Sequence, residues 1–209
     1  CDGVTSGALT IGSINCSYSD QPEKKHASDV FTDVDQNAYY YEAVDQLYSK
    51  GIMIGCADDS YGVGRPMTRG MVVTVLYRMA GEPEVTGATR FTDLQKDAYY
   101  EKAVMWAEKN GIAQGISETQ FAPDQTTTRQ QMVAFLYRYA KLQGMDVSSR
   151  KDLSNYVDYE KVHDYAKPAM AWAVENGIVL GTEKNTLSPR MTLPREQCAT
   201  MLYRLLKAA

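Results

Sequence analysis

A repeat of about sixty residues constrains the fold of this chain more than any other feature of its sequence. Residues 31–78 and 91–138 align without a gap and share the strings FTD, AYY, AV, GI, TR and LYR in the same order. A third, more diverged copy covers about 156–204. A unit of this length cannot bury its apolar face alone, so stable folding requires the copies to pack together.

Each copy has the pattern of two helices joined by a long loop. In the first copy, apolar residues lie at helical spacing from about Tyr39 to Lys50, and Gly51 is a natural residue to end that helix. The second helix is predicted to begin near Thr68, after a loop that is long for a compact domain. One residue of each loop is expected in the core: Tyr61, Phe121 and Leu187.

We therefore predict an all-α protein made of three tandem helix-loop-helix repeats. The repeats span 29–84, 85–147 and 148–209, and residues 1–28 are expected to be an N-terminal linker or the tail of an upstream domain. A linear stack and a closed pseudo-threefold arrangement are both compatible with the repeat pattern.

Four cysteines leave two alternatives open. If the protein is exported, Cys1 with Cys16 and Cys56 with Cys198 form disulfides, and the second bond favours closure by tying the first repeat to the third. The alternative is four free thiols. The absence of a CxxC pair and the presence of only two histidines give no support to a metal site, and no cofactor is expected.

Net charge, hydropathy and the placement of acidic residues disfavour several classes of function. The net charge of −4 does not suit a protein that neutralises nucleic-acid phosphates, and no apolar run approaches the roughly 18 residues of a membrane span. The acidic residues show no catalytic pairing, so a glycoside hydrolase with two carboxylates is disfavoured. A non-catalytic binding module fits these properties best.

Each second helix has an arginine in its first turn, where a positive charge is generally unfavourable. Arg69, Arg129 and Arg195 lie in a first helical turn, where a cation opposes the helix dipole. Free backbone N–H groups and a guanidinium together form a site for a carboxylate or phosphate, which predicts one anion site per repeat. Alternatively, each arginine forms a structural ion pair with an aspartate: Asp33, Asp93 or Asp158. By contrast, the arginines that follow the LY pairs are interpreted as structural: Arg78, Arg138 and Arg204.

These landmarks, three times in register, resemble the S-layer homology module over residues 31–204. The resemblance implies a pseudo-threefold bundle that anchors an exported protein at the cell wall and S-layer. The implied ligand is a secondary cell-wall polysaccharide, often pyruvylated, in grooves between the repeats. We expect a monomer that binds no nucleic acid and has no membrane span.

The resemblance also implies ligand-binding residues. They are the three arginines above, the early aspartates Asp33, Asp93 and Asp158, the glycines Gly51, Gly111 and Gly177, and the tyrosines Tyr39, Tyr99 and Tyr165. The acidic position of the family motif holds Met71, Gln131 and Gln197 instead. We expect the two glutamines to take part in binding, and the groove that uses Arg129 to be the best candidate. The alternative function is a protein–protein interaction module of a surface protein.

Overall fold

The structure, a computed structural model, describes residues 25–149 and 151–208. Its regular elements are helices, as the repeat pattern predicts. They are α1 (Ala27–Val30), α2 (Tyr41–Ser49), α3 (Arg69–Met79), α4 (Glu101–Lys109), α5 (Arg129–Leu142), α6 (Lys167–Glu175) and α7 (Arg195–Ala208), with two 3₁₀ turns at Tyr159–Lys161 and Asp164–Ala166. Most of the predicted N-terminal segment, including Cys1 and Cys16, lies outside the described residues.

The first helix of each repeat ends as its sequence predicts. Gly51, Gly111 and Gly177 follow α2, α4 and α6 with φ values of 68°, 70° and 66°. Such left-handed backbone is strained for residues with a Cβ, which explains why glycine stops all three helices.

The second helices begin at the residues predicted from their polar caps. Thr68 Oγ1 accepts a hydrogen bond from the Met71 backbone N–H at 3.3 Å. The capping box of α5 is present, and the Thr128 N–H donates to Gln131 Oε1 at 2.9 Å. The loops before these helices are held by the predicted core residues, because Tyr61, Phe121 and Leu187 are all fully buried.

The three repeats close into a ring. Each second helix packs against the first helix of the next repeat, α3 on α4 and α5 on α6, and α7 completes the cycle on α2. At the centre, the Met67 N–H donates to Leu193 O at 3.0 Å, Leu193 N–H to Thr127 O at 3.0 Å, and Thr127 N–H to Met67 O at 2.8 Å. This cycle of hydrogen bonds confirms the pseudo-threefold bundle and excludes the linear stack.

The ring closes without the proposed disulfide between the first and third repeats. Cys56 and Cys198 are both free, and Cys56 is exposed whereas Cys198 is fully buried beside Met132. The free-thiol alternative is therefore correct for this pair. Within the described residues, no helix is long and apolar enough to cross a membrane.

Candidate functional site

Three grooves lie between the repeats, and all three are built in the same way. The floor of each groove is the second helix of one repeat, and one side is the loop that follows the first helix of the same repeat. One residue from each of the other two repeats completes the lining. Groove 1 has its floor on α3 and a volume of about 590 Å³. Groove 2 lies on α5 with about 350 Å³, and groove 3 lies on α7 with about 340 Å³. Each groove therefore exists only when all three repeats are assembled.

The arginines that begin the second helices reach the groove of the next repeat. Arg69 lines groove 2, Arg129 lines groove 3 and Arg195 lines groove 1. We call these three side chains the motif arginines. Arg69 and Arg195 are only 5% and 6% exposed. The repeated sequence position thus corresponds to one repeated location in space.

The motif arginines are not paired with the early aspartates. None of the ion pairs found in residues 25–149 and 151–208 involves a motif arginine. Arg69 instead lies over the rings of Phe121 and Phe135, 4.7 and 5.4 Å from their centroids, and Arg195 lies over Tyr61. Burial lowers the pKa of Arg69 to about 10, which still leaves it a cation at neutral pH.

Asp33, Asp93 and Asp158 hold the loops that shape the grooves. Asp33 accepts hydrogen bonds from the backbone N–H groups of Tyr61, Gly62 and Val63 at 2.7–2.9 Å. Asp93 accepts from Phe121 and Ala122, and Asp158 from Leu187 and Ser188, in the same way. A direct contact of these carboxylates with a ligand stays a prediction, and none of them lines a groove.

A second arginine lies on the floor of each groove. Arg78, Arg138 and Arg204 donate Nη1 to the carbonyl groups of Ile52, Ile112 and Ile178 at 3.5, 3.1 and 3.3 Å. These bonds agree with the structural role expected for them. The same side chains also line grooves 1, 2 and 3, which the sequence interpretation missed. Their spacing of nine residues from the motif arginines was the available signal.

The predicted tyrosines lie at the edges of the grooves. Tyr99 borders groove 1, Tyr165 borders groove 2 and Tyr39 borders groove 3, and their exposed fractions are 59%, 50% and 69%. Partial burial is the main cause that raises the pKa of each phenol, so all three hydroxyl groups are protonated at neutral pH. Exposed rings of this kind offer a flat apolar face together with a hydrogen-bonding hydroxyl.

The glycines that line the grooves are not the predicted ones. A Cβ on Gly51, Gly111 or Gly177 would meet nothing within 4 Å, and these residues lie outside the groove linings. The second glycine of each repeat lines the groove instead: Gly55, Gly115 and Gly181. A Cβ on Gly115 would lie 2.6 Å from the Phe91 ring, so glycine is required there for packing. Direct contact of Gly51, Gly111 and Gly177 with a ligand stays a prediction.

The residues at the acidic position of the motif differ between grooves. Gln131 lines groove 2 and Gln197 lines groove 3, where Arg129 Nη1 donates to Gln197 Oε1 at 3.2 Å. Met71 lines groove 1 in their place. Groove 1 is therefore the most apolar of the three at this position.

The grooves are positive regions of an acidic protein. Their linings contain seven arginines and no aspartate or glutamate, although the whole chain has a net charge of −4. Arg78 is the one groove arginine in a recorded ion pair, with Glu82 at 3.7 Å, and the motif arginines have no carboxylate partner among the described residues. Such guanidinium groups favour an anionic ligand, and their forked donors suit a carboxylate.

The comparisons with known proteins agree with this repeat architecture. The family model of the S-layer homology domain matches residues 30–70, 90–133 and 155–199, one match in each repeat. The chain is 30% identical over 174 residues to the Surface-layer 125 kDa protein of Lysinibacillus sphaericus, covering 82% of this chain and 14% of that protein.

Two other relatives show the range of proteins that contain similar sequences. Identity is 30% over 125 residues to a Cell surface protein of Thermoanaerobacter kivui, covering 57% of this chain and 16% of that protein. It is 24% over 204 residues to an Amylopullulanase of Thermoanaerobacterium thermosulfurigenes, covering 98% of this chain and 11% of that protein. The chain spans less than a fifth of each of these relatives. The three family-model matches and the relative at 30% identity show that the chain belongs to the S-layer homology domain family.

Proposed function

We propose that this module anchors a protein non-covalently to the bacterial cell wall by binding an anionic secondary polysaccharide in its three grooves. The observation that supports it most directly is that each groove presents at least two arginines and no carboxylate. A pyruvate ketal on a sugar is a suitable partner, because it carries one carboxylate on an otherwise neutral ring. The function is binding without catalysis.

The other groove residues suit a sugar ligand. The exposed faces of Tyr39, Tyr99 and Tyr165 are available to stack on pyranose rings, and their hydroxyl groups to bond sugar hydroxyls. Gln131 and Gln197 add amide donors and acceptors in grooves 2 and 3. The relatives named as surface-layer and cell-surface proteins support a location outside the cell, at the wall.

Sedimentation with purified cell walls tests this function. Wild-type protein is compared with a triple variant, Arg69→Gln, Arg129→Gln and Arg195→Gln, on walls before and after acid extraction of the secondary polysaccharide. We expect binding to native walls to fall at least tenfold in the variant, because each substitution removes charge-assisted hydrogen bonds worth about 1.5–3 kcal/mol. Binding of the wild type to extracted walls should also be lost.

A charge-matched variant separates a specific site from general electrostatics. Lys50→Gln, Lys109→Gln and Lys141→Gln together remove the same charge from exposed positions outside the grooves. This variant should sediment like wild type, and circular dichroism should show that both variants are folded. Wall binding that survives extraction and the arginine substitutions would contradict the proposal and favour the protein–protein interaction module instead.

A further inference from the structure

We propose that Arg90 is a positioning residue that keeps Arg69 free for the ligand and so makes groove 2 the highest-affinity groove. The inference rests on the proposed function in that it assumes an anionic ligand. It differs from the sequence-based ranking, which favoured the groove of Arg129. One backbone carbonyl recurs in all three repeats, and in groove 2 it is bound by a different arginine than in grooves 1 and 3.

In grooves 1 and 3, this carbonyl is bound by the motif arginine itself. Arg195 Nη2 donates to Ile54 O in groove 1, and Arg129 Nη2 donates to Leu180 O at 3.2 Å in groove 3. In both arginines the Nε atom is buried without a hydrogen-bond partner among the described residues. We call this arrangement the latched state. The Nη2 group, which could otherwise donate to an anion, is bonded to a backbone carbonyl of the protein.

In groove 2, a different arginine binds the equivalent carbonyl. Arg90 Nη2 donates to Gln114 O at 2.9 Å. The side chain of Arg90 is held by Glu108, whose Oε1 lies 3.4 Å from Arg90 Nε, and it lies over the Phe91 ring. The equivalent positions in the other repeats are Val30 and Asn155, neither of which carries a guanidinium.

Arg69 accordingly has a different set of contacts. Its Nε donates to Phe121 O at 2.8 Å, and its guanidinium lies over two aromatic rings. Within residues 25–149 and 151–208, no hydrogen bond from its Nη atoms to a protein acceptor is found, although the side chain lines groove 2. A ligand carboxylate can therefore bind Arg69 without breaking a bond, whereas in grooves 1 and 3 the latch must first open. The bond to this carbonyl is one hydrogen bond to a charged group and corresponds to about tenfold in affinity. The further bonds of Arg129 Nη1 to Gln197 Oε1 and of Arg195 Nη1 to Met67 Sδ act in the same direction.

Two substitutions exchange the states, and a third controls for the ion pair. Arg90→Ala frees Gln114 O, so Arg69 should latch. Val30→Arg places a guanidinium at the equivalent position of the first repeat, so Arg195 should be released from Ile54 O. Glu108→Gln removes the charge that pairs with Arg90 but leaves Arg90 able to bind Gln114 O, so Arg69 should stay free.

Crystal structures of the unliganded wild type and variants test the latch without any ligand. Arg69 Nη should bond Gln114 O in Arg90→Ala but not in wild type or Glu108→Gln. An Arg69 that keeps its bond to Phe121 O and leaves Gln114 O unoccupied in Arg90→Ala would overturn the role of Arg90, whatever the ligand proves to be. Should Val30→Arg fail to fold, the Arg90→Ala structure decides alone.

Groove-resolved titration tests the affinity order. The probe is the methyl glycoside of N-acetylmannosamine that carries a pyruvate ketal, added to protein with ¹³C-labelled isoleucine and methionine methyl groups. Ile54 reports on groove 1, Ile116 on groove 2 and Met201 on groove 3. Ile116 should saturate at about tenfold lower concentration than the other two in wild type, and Arg90→Ala should abolish that difference.

The two proposals fail in distinguishable ways. Equal dissociation constants in all three grooves, or an Ile116 titration unaffected by Arg90→Ala, would overturn the inference and leave the anchoring function intact. A probe that shifts none of the three methyl signals would count against the sugar ligand, while the crystal structures would still decide whether Arg90 sets the state of Arg69.

Discussion

Arg69 and Arg195 are buried cations that lack a carboxylate partner among the described ion pairs. Burying a charge is unfavourable unless it is paired, and backbone carbonyls and aromatic rings compensate only part of that cost. The nearby aspartates are committed to loop backbone instead. The residues at the groove therefore trade stability for an available cation, a pattern typical of binding sites.

Replacing Arg69 by an apolar residue tests this trade. Arg69→Met should leave the free energy of unfolding unchanged or raise it by about 1 kcal/mol, since it removes an unpaired buried charge while filling similar space. The same variant should lose binding in groove 2. Urea denaturation measures the stability, and a loss of more than about 2 kcal/mol would show that Arg69 is structural.

The Asp33 carboxylate predicts a pH dependence of stability. Burial acts to raise its pKa, but hydrogen bonds from Tyr61, Val63, Gly62 and Ser60 outweigh burial and lower the pKa below the ordinary aspartate value of 3.8. Its contribution is therefore fully present above pH 3.8 and is lost as the pH falls through the folded-state value. The stability difference between wild type and Asp33→Asn should be about 2 kcal/mol at pH 7 and shrink steadily below pH 4. A difference that is equal at pH 3 and pH 7 would contradict this.

At the scale of elements, local signals in the sequence were sufficient for the helices. The glycine ends, the polar caps and the loop residues that reach the core all follow from contacts within one repeat, and all are confirmed. The hydrogen-bond ring of Met67, Thr127 and Leu193 could not be predicted, because it joins residues of different repeats. The tyrosine and the motif arginine of one groove also belong to different repeats. The sequence therefore indicated both residues as candidates but not that they line the same groove.

The glycines at the helix ends and the glycines that line the grooves occupy different environments, and a pair of substitutions distinguishes the two positions. Gly111→Ala introduces left-handed strain of about 1–2 kcal/mol in open space. Gly115→Ala should cost about 3 kcal/mol or more, because its Cβ would also lie 2.6 Å from both the Phe91 ring and Ser117 O. Thermal unfolding measures both, and equal losses would mean that the Phe91 contact relaxes freely.

At the scale of the whole molecule, closure depends on contacts between the last helix and the first repeat. Tyr203 and Lys207 of α7 both bond Glu42 on α2, and Leu193 lies in the central ring. Cys56 and Cys198 are free, so this contact is held by non-covalent interactions, which include the Lys207–Glu42 ion pair.

Removing the third repeat should therefore unfold the rest. A fragment of residues 25–147 leaves α2 and the Met67 N–H without their partners, and we expect no cooperative unfolding transition by circular dichroism. The matched control is the complete module cut by a protease site inserted in the linker near Gly144. The cut protein keeps all its contacts and should stay folded, whereas a two-repeat fragment with a sharp transition would show that closure is dispensable.

Each groove is lined by residues of three repeats, and this has a consequence for how the module would dissociate from its ligand. Unfolding of any one repeat removes lining residues from all three grooves at once, so under the proposed function we expect release of the ligand to coincide with the loss of the fold. Under the proposed function, a ligand that fills a groove contacts residues of all three repeats, and we expect it to stabilise the folded module against unfolding. Binding and folding stability are then coupled, and we expect an unfolded copy to be released from the wall.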